Sequence, residues 1–391
     1  MRIRAIRIVR PTSHSRGRWV APARWLGRKS TLAVVLGLIA LACGGKTAQT
    51  AQTANSGAPT AEFRVVRHQT WSVRQPEVDQ LSILGGDQIA FPFASGADGV
   101  PDEAEVLDTR TGTTRVVART SWPQGVIGWS TGTGDYFVWL DMSRVPDDSN
   151  GSAAWKLHDT NVTTGRDLLL AQSALPQAVF PLARAADGRV VWVQQSEQST
   201  SLFFADLATA RAKRLVLNVI ADGVDVVNNH TVVLANGGPG RSNIELIDTS
   251  SLRSTRLTRN GLGTQPRAND GWISWAEFGR GSSGDPQSVW LDDFVGRGRP
   301  VEVAKGENRG NAVPGPGWAA WYPQADAVQL GQPGRSAVTL GHSIAVTTRI
   351  SAAGNSLVFG SFPTGPSRGP DLGSTILNLV TVARSQGIPK Q

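Results

Sequence analysis

The sequence predicts an all-β fold: a seven-bladed β-propeller of four-stranded blades, its ring closed by an N-terminal strand. The first observation behind this is a short apolar triplet ending in a large side chain, which recurs seven times. The copies are Ile89-Ala90-Phe91, Phe137-Val138-Trp139, Val190-Val191-Trp192, Val232-Val233-Leu234, Ile273-Ser274-Trp275, Ala319-Ala320-Trp321 and Leu357-Val358-Phe359. The second is their spacing of 38 to 53 residues, which suits one propeller blade and is too long for a leucine-rich or ankyrin unit. The third is the punctuation around most triplets, with a turn signal before and an Asp-containing hairpin after.

Gly86-Asp87, Gly134-Asp135, Asp187-Gly188, Asn228-Asn229, Asp270-Gly271 and Gly354-Asn355 precede six of the triplets. These residues tolerate positive φ and suit tight hairpins, so each triplet is expected as the second strand of its blade. Third strands follow as alternating apolar positions running into Asp and a turn: Val106-Leu107-Asp108-Thr109-Arg110-Thr111-Gly112, Leu157-His158-Asp159-Thr160, Phe203 to Leu207, Leu246-Ile247-Asp248-Thr249 and Trp290-Leu291-Asp292-Asp293. Blade six is the weakest copy, with Val328-Gln329-Leu330 and no Asp. Fourth strands are expected at Thr114 to Val117, Asp167 to Leu170, Arg214 to Leu217, Thr255 to Thr258, Pro300 to Val303 and Ala337 to Leu340. The seventh blade has only Ile376 to Val380 after its triplet, whereas Phe63-Arg64-Val65-Val66 has no blade of its own. Joining the two closes the ring and removes its last exposed edges.

The Asp-Gly turn, the apolar strand with an aromatic end and the apolar-Asp-Thr-x-Thr-Gly hairpin (Leu107 to Gly112) resemble the TolB-type, WD40-like propeller repeats of bacterial exported proteins. Trp129-Ser130-Thr131-Gly132 is similar to the Trp-Ser-Pro-Asp-Gly turn of that family. The resemblance covers residues 62 to 385 and implies a fold rather than an activity. WD40 proper is set apart by the lack of any Trp-Asp dipeptide and by a single Gly-His, Gly341-His342.

The chain carries 39 Lys and Arg against 31 Asp and Glu, with a pI near 10.3, a balance that would suggest a nucleic-acid partner. Nine of the basic residues lie before residue 43 with no acid among them, leaving 30 basic and 31 acidic groups in the remainder. No nucleic-acid binding is expected of that remainder. The basic leader runs into Thr31 to Ala42, 12 apolar residues, short of the roughly 20 needed to span a bilayer. Residues 1–42 therefore read as a signal peptide. Ala40-Leu41-Ala42-Cys43 resembles the bacterial lipobox, with Ala40 where Leu is usual; it also satisfies the small-x-small rule of ordinary signal peptidase. Cys43, the single cysteine, is the predicted lipidation site, and residues 43–61 form a flexible tether of about 20–25 Å. Residues 62–385 form the propeller and 386–391 a C-terminal tail.

Motifs with chemical potential are weak. Gly128-Trp129-Ser130-Thr131-Gly132 matches the serine-hydrolase pattern but lacks the helix that must follow the nucleophile. Gly279 to Gly284 matches Gly-x-Gly-x-x-Gly without a helix to bind phosphate, and Gly44-Gly45-Lys46-Thr47 lacks the first glycine of a phosphate loop. His68, His158, His230 and His342 have no metal-ligand spacing, and Asp147 to Gly151 lacks the alternation and closing Glu of a calcium loop. No catalytic residue, metal or cofactor is predicted. Trp139, Trp192, Trp275 and Trp321 hold equivalent positions and are assigned to packing; Trp71, Trp122 and Trp318, near strand ends, are freer to bind.

The resulting expectation is a monomeric, exported, lipid-anchored binding module on the extracytoplasmic face of the cell membrane, touching the membrane through its anchor alone. Its partner is an envelope protein or an extracellular ligand. Adjacent long loops at Ala94 to Glu103 and Ser143 to Ala154 offer a docking rim. An extracytoplasmic hydrolase or lyase acting on glycans is the alternative, and a carrier module for a separate catalytic subunit is a third reading; paired acids converging on the axis would favour the glycan enzyme.

Overall fold

The computed structural model describes Phe63 to Arg384 except for residues 74–77, 79, 97–98, 144–151, 174–175, 178, 196–199, 218, 238–240, 280–286, 297, 307–311, 325–326, 343–348 and 362–373. The leader, Cys43, the tether, Asp147 to Gly151, most of Gly279 to Gly284 and the C-terminal tail lie outside the described residues.

The chain enters on β1 (Phe63–Val73). Blade 1 follows as β2 (Ser82–Leu84), β3 (Gln88–Phe93), β4 (Glu103–Asp108) and β5 (Thr113–Arg119). Blade 2 is β6 (Val126–Thr133), β7 (Tyr136–Met142), β8 (Trp155–Asn161) and β9 (Asp167–Gln172). Blade 3 is β10 (Leu182–Ala186), β11 (Arg189–Gln195), β12 (Thr200–Asp206) and β13 (Arg211–Leu217). Blade 4 is β14 (Ala221–Asn228), β15 (Thr231–Asn236), β16 (Asn243–Asp248) and β17 (Ser254–Arg256). Blade 5 is β18 (Gly263–Asn269), β19 (Trp272–Glu277), β20 (Ser288–Asp293) and β21 (Val301–Lys305). Blade 6 is β22 (Val313–Gly315), β23 (Trp318–Gln324), β24 (Ala327–Gly331) and β25 (Val338–His342). Blade 7 is β26 (Ser351–Ala353), β27 (Ser356–Ser361) and β28 (Thr375–Arg384), completed by β1 in the order β1-β28-β27-β26. All seven sheets are antiparallel, and β1 pairs with β28 from Phe63↔Arg384 to Val73↔Thr375. The ring thus closes as expected, and all seven triplets lie on second strands.

Period-two alternation explains why those triplets are apolar apart from Ser274, whose buried hydroxyl donates to Ala312 O at 2.9 Å. Every second strand has a neighbouring blade on each face. Val190 and Trp192 pack toward blade 2, whereas Val191 packs toward blade 4. Phe137 and Trp139 face blade 1 with Val138 facing blade 3, and Leu357 and Phe359 face blade 6 with Val358 facing blade 1. The first and third residues thus fill the interface with the preceding blade and the middle residue that with the following one. Seven hydrophobic clusters result among the described residues, each between neighbouring blades. The large third residue also stacks across its own sheet on its third-strand partner. Trp139 lies on His158, Trp192 on Phe203 and Trp275 on Trp290, with centroids 4.6, 5.4 and 6.3 Å apart.

The hairpins correct the assignment in blade 2 and, in blade 5, select Asp293 from the Asp292-Asp293 pair. The first residue of each second strand faces the residue that starts the third-to-fourth turn: Gln88↔Asp108, Arg189↔Asp206 and Thr231↔Asp248, but Tyr136↔Asn161 and Trp272↔Asp293. Asn161 Oδ1 accepts the Thr163 and Thr164 amides just as Asp108 Oδ1 accepts those of Arg110 and Thr111. The turn residues of blades 2 and 5 are therefore Asn161 and Asp293. Asp159 and Asp292 sit further back along their strands, buried, each with an Oδ1 that has no hydrogen-bond partner. Burial and then the neighbouring Asp167 charge raise Asp159 to a pKa of about 7, against the pull of Arg166; burial and Asp293 raise Asp292 to about 6.

Trp129-Ser130-Thr131-Gly132 is likewise extended strand rather than turn, with the hairpin two residues later at Gly134 (φ 55°). Trp318, set apart by its strand-end position as freer to bind, is fully buried between blades 6 and 7.

Candidate functional site

The innermost strands place one layer of side chains around the axis. Antiparallel register sets this layer opposite the middle residue of each triplet: Ser82↔Ala90, Thr131↔Val138, Arg184↔Val191, Asp225↔Val233, Arg267↔Ser274, Val313↔Ala320 and Ser351↔Val358. Val313 turns into the blade 6–7 core, while the other six line the channel. The layer is polar where the facing triplet layer is mostly apolar, and it does not repeat.

Its charge is concentrated on blades 3 to 5. Asp225 Oδ2 accepts from Arg267 Nε at 3.1 Å and from the Ala268 amide at 3.0 Å, and its Oδ1 accepts the Val226 amide at 2.9 Å. Asp225 therefore has donors on both oxygens. Arg184 is buried, donates from one Nη to Ala183 O at 3.2 Å, and has an Nε with no hydrogen-bond partner. Its guanidinium lies 4.4 Å from the centroid of the Trp129 ring, and that of Arg349 lies 4.2 Å from the same centroid. Trp129 is fixed by its indole N–H, which donates to Ala183 O at 2.9 Å. Burial pushes the Arg184 pKa well down; Arg267 adds to this, Asp225 opposes it and Arg349 contributes a further push.

Two spaces share this layer as a wall. A chamber of about 370 Å³ opens toward the hairpins, where Asp187 and Asp270 line it. A constriction of about 20 Å³ lies on the other side, against Trp129, Arg184, Arg267 and Arg349. Partial burial and then the charge of Asp270 raise the Asp187 pKa, against the pull of Arg189. Hydrogen bonds between blades hold the walls: Gly85 N to Gly134 O at 2.7 Å, the Ser130 amide to Gln80 Oε1, and Asn269 Nδ2 to Pro314 O and Gly354 O at 2.9 Å each. Ser130, the serine of the hydrolase-like motif, lies on channel-lining β6 with a hydroxyl that has no partner and no base bonded to it.

The expected rim is partly described. Ser95 closes the base of the Ala94 to Glu103 loop through bonds to Asp102 of 2.7 and 2.6 Å, and the second loop is described only at its base, where Ser143 N donates to Ala154 O at 2.9 Å. Trp122, half-buried beside this rim, has Lys156 Nζ 4.4 Å from its ring, and Lys156 also donates to Ser121 Oγ. Trp71 is half-buried against the blade 7–1 core. Among the described residues no three His, Cys, Asp or Glu side chains come together as a metal-binding group.

The charged axial layer was missed in the sequence because only the repeating strands were read. Each member lies seven or eight positions before the middle of a triplet, so counting back across the turn locates all seven.

Fold and site together define a closed seven-bladed β-propeller with a charged axial channel. No protein family and no curated protein matches the chain. Among solved structures it is similar to an oligogalacturonate lyase in complex with manganese, at 11% identity and TM-score 0.52 over 83% of this chain and 98% of that one. It is also similar to TolB from Acinetobacter baumannii, at 12% identity and TM-score 0.42 over 80% of each chain. BamB from Moraxella catarrhalis matches at 14% identity and TM-score 0.44, over 80% of this chain and 85% of that one. The first of these likenesses shows a shared propeller fold.

Proposed function

We propose that the chain is an exported propeller, lipid-anchored through Cys43 at the extracytoplasmic face, that binds a ligand or envelope protein through its axial channel. The axial layer supports this reading: a buried Arg184 whose Nε has no protein partner costs stability, a pattern typical of a site maintained for binding. Anchor and channel are tested separately. Cys43→Ser should shift the protein from the membrane to the soluble fraction; retention in membranes defeats the anchor. Filling the channel with Thr131→Arg and Ser351→Arg should abolish capture of the partner that the parent protein retrieves from native membranes. Equal capture would move the binding surface to the rim of blades 1 and 2.

A glycan hydrolase or lyase is the second reading, favoured by the proximity of two acids, Asp187 and Asp270, in one chamber. It requires release of reducing ends from an extracellular polysaccharide and loss of that activity in Asp187→Asn.

A further inference from the structure

We propose that the axial layer binds the carboxylate of a small organic acid, with Arg184 taking the head group and the acid's hydrogen-bond donors turned toward Asp187 and Asp270. This deepens the reading of the channel as a binding site and rests on it.

Charge supplies the first argument. Asp225, the one carboxylate of the axial layer, already receives Arg267 and two backbone amides. Arg184 is left with a buried N–H and a Trp129 face, and a ring quadrupole replaces only part of the hydration a guanidinium loses. An incoming anion would complete the set.

Shape narrows the anion. The constriction of about 20 Å³ beside Arg184 holds about one water-sized group, room for the leading oxygen of a carboxylate. A planar guanidinium also matches a planar carboxylate in its donor geometry. The body of the ligand would then lie in the 370 Å³ chamber, which shares Thr131, Arg184, Arg267 and Ser351 with the constriction and lies within the usual range of small-molecule sites.

Polarity along the axis defines the other end. Asp187 and Asp270 follow Arg184 and Arg267 by three residues, in the turns just after β10 and β18, and both line the chamber. Acceptors there suit hydroxyl or ammonium groups. Sugar acids and short peptides share this chemistry, a carboxylate at one end and donors at the other.

The test uses the purified full chain in detergent at low salt and neutral pH, read by calorimetric titration and thermal melting. Glucuronate is compared with glucose, diglycine with glycinamide, and inorganic phosphate is run alongside. At least one carboxylate should bind and raise the melting temperature while its neutral or amide counterpart does not; glucuronate or diglycine then identifies the source. Arg184→Gln should weaken that binding at least tenfold, and so should Arg184→Lys, which keeps the charge but loses the fork. Binding by phosphate alone, binding unchanged in both variants, or no binding by either carboxylate overturns the proposal. Membrane release by Cys43→Ser and partner capture are separate measurements, so a negative titration beside positive capture rejects the carboxylate site alone.

Discussion

The middle residues of the seven triplets and the seven residues that face them across the inner hairpins lie in one layer of the ring, yet they obey different rules. On the second strand each blade supplies Ala, Val or Ser, all fully buried. On the first strand the same layer reads Ser82, Thr131, Arg184, Asp225, Arg267, Val313 and Ser351 in blade order. Wedged between two blades, a side chain has one environment in all seven copies, so its chemistry repeats. At the axis it meets the channel, so each copy is free to differ. Repetition therefore specifies the fold, and departure from it marks the site.

Ring closure should give the largest effect. Deleting residues 62–72 removes the partner of β28 and exposes apolar surface of blade 7, where Val380 and Val382 are buried. The truncated chain should aggregate or melt far below the parent; an unchanged melting temperature would show that β1 is dispensable. Next comes Trp192→Ala, which empties part of the blade 2–3 interface and should cost about 3–5 kcal/mol in chemical denaturation. A cost below about 1 kcal/mol would mean the repeated layer is not what holds adjacent blades together.

Asp159 gives a smaller, pH-dependent effect. Its pKa rises from 3.8 unfolded to about 7 folded, so the folded protein binds the extra proton between those values. The stability this lends is complete below about pH 4 and is lost as pH climbs through 7. Asp159→Asn should therefore match the parent near pH 4 and melt about 2–4 °C higher at pH 8. A difference that does not vary with pH would show that Asp159 does not titrate in this range.

Strand order, blade count and ring closure were legible because burial on both faces favours apolar triplets, and tight turns require residues that tolerate positive φ. The copies that misled did so for local reasons. In blade 2, Leu157-His158-Asp159 looks like the third-strand signature, but the turn begins at Asn161, which accepts the same pair of amides as an Asp would. In blade 6 the Asp of the third strand is missing, the first hairpin turns on Pro316-Gly317 (Gly317 φ 81°), and Trp318 directly after it looked like a strand-end residue. Its fully buried ring lies against Gly315, where a Cβ would come within 2.1 Å of the indole, a contact between first and second strands that spacing does not report. The axial charges were hidden because a site that differs in every blade has no period to find.

The smallest predicted effect tests the contrast most directly. Ser351 and Val358 face each other across the β26–β27 ladder, Ser351 half-buried at the channel and Val358 buried between blades 7 and 1. Ser351→Ala removes a hydroxyl from a water-accessible layer and should change stability by no more than about 0.5 kcal/mol. Val358→Ser, two atoms away from isosteric, brings a hydroxyl into an apolar cluster and opens space there, and should cost about 2 kcal/mol or more. Comparable costs for the two, measured by chemical denaturation, would mean that the axial layer is as tightly constrained as the repeated one. The variation that marks the channel as a site would then need another explanation.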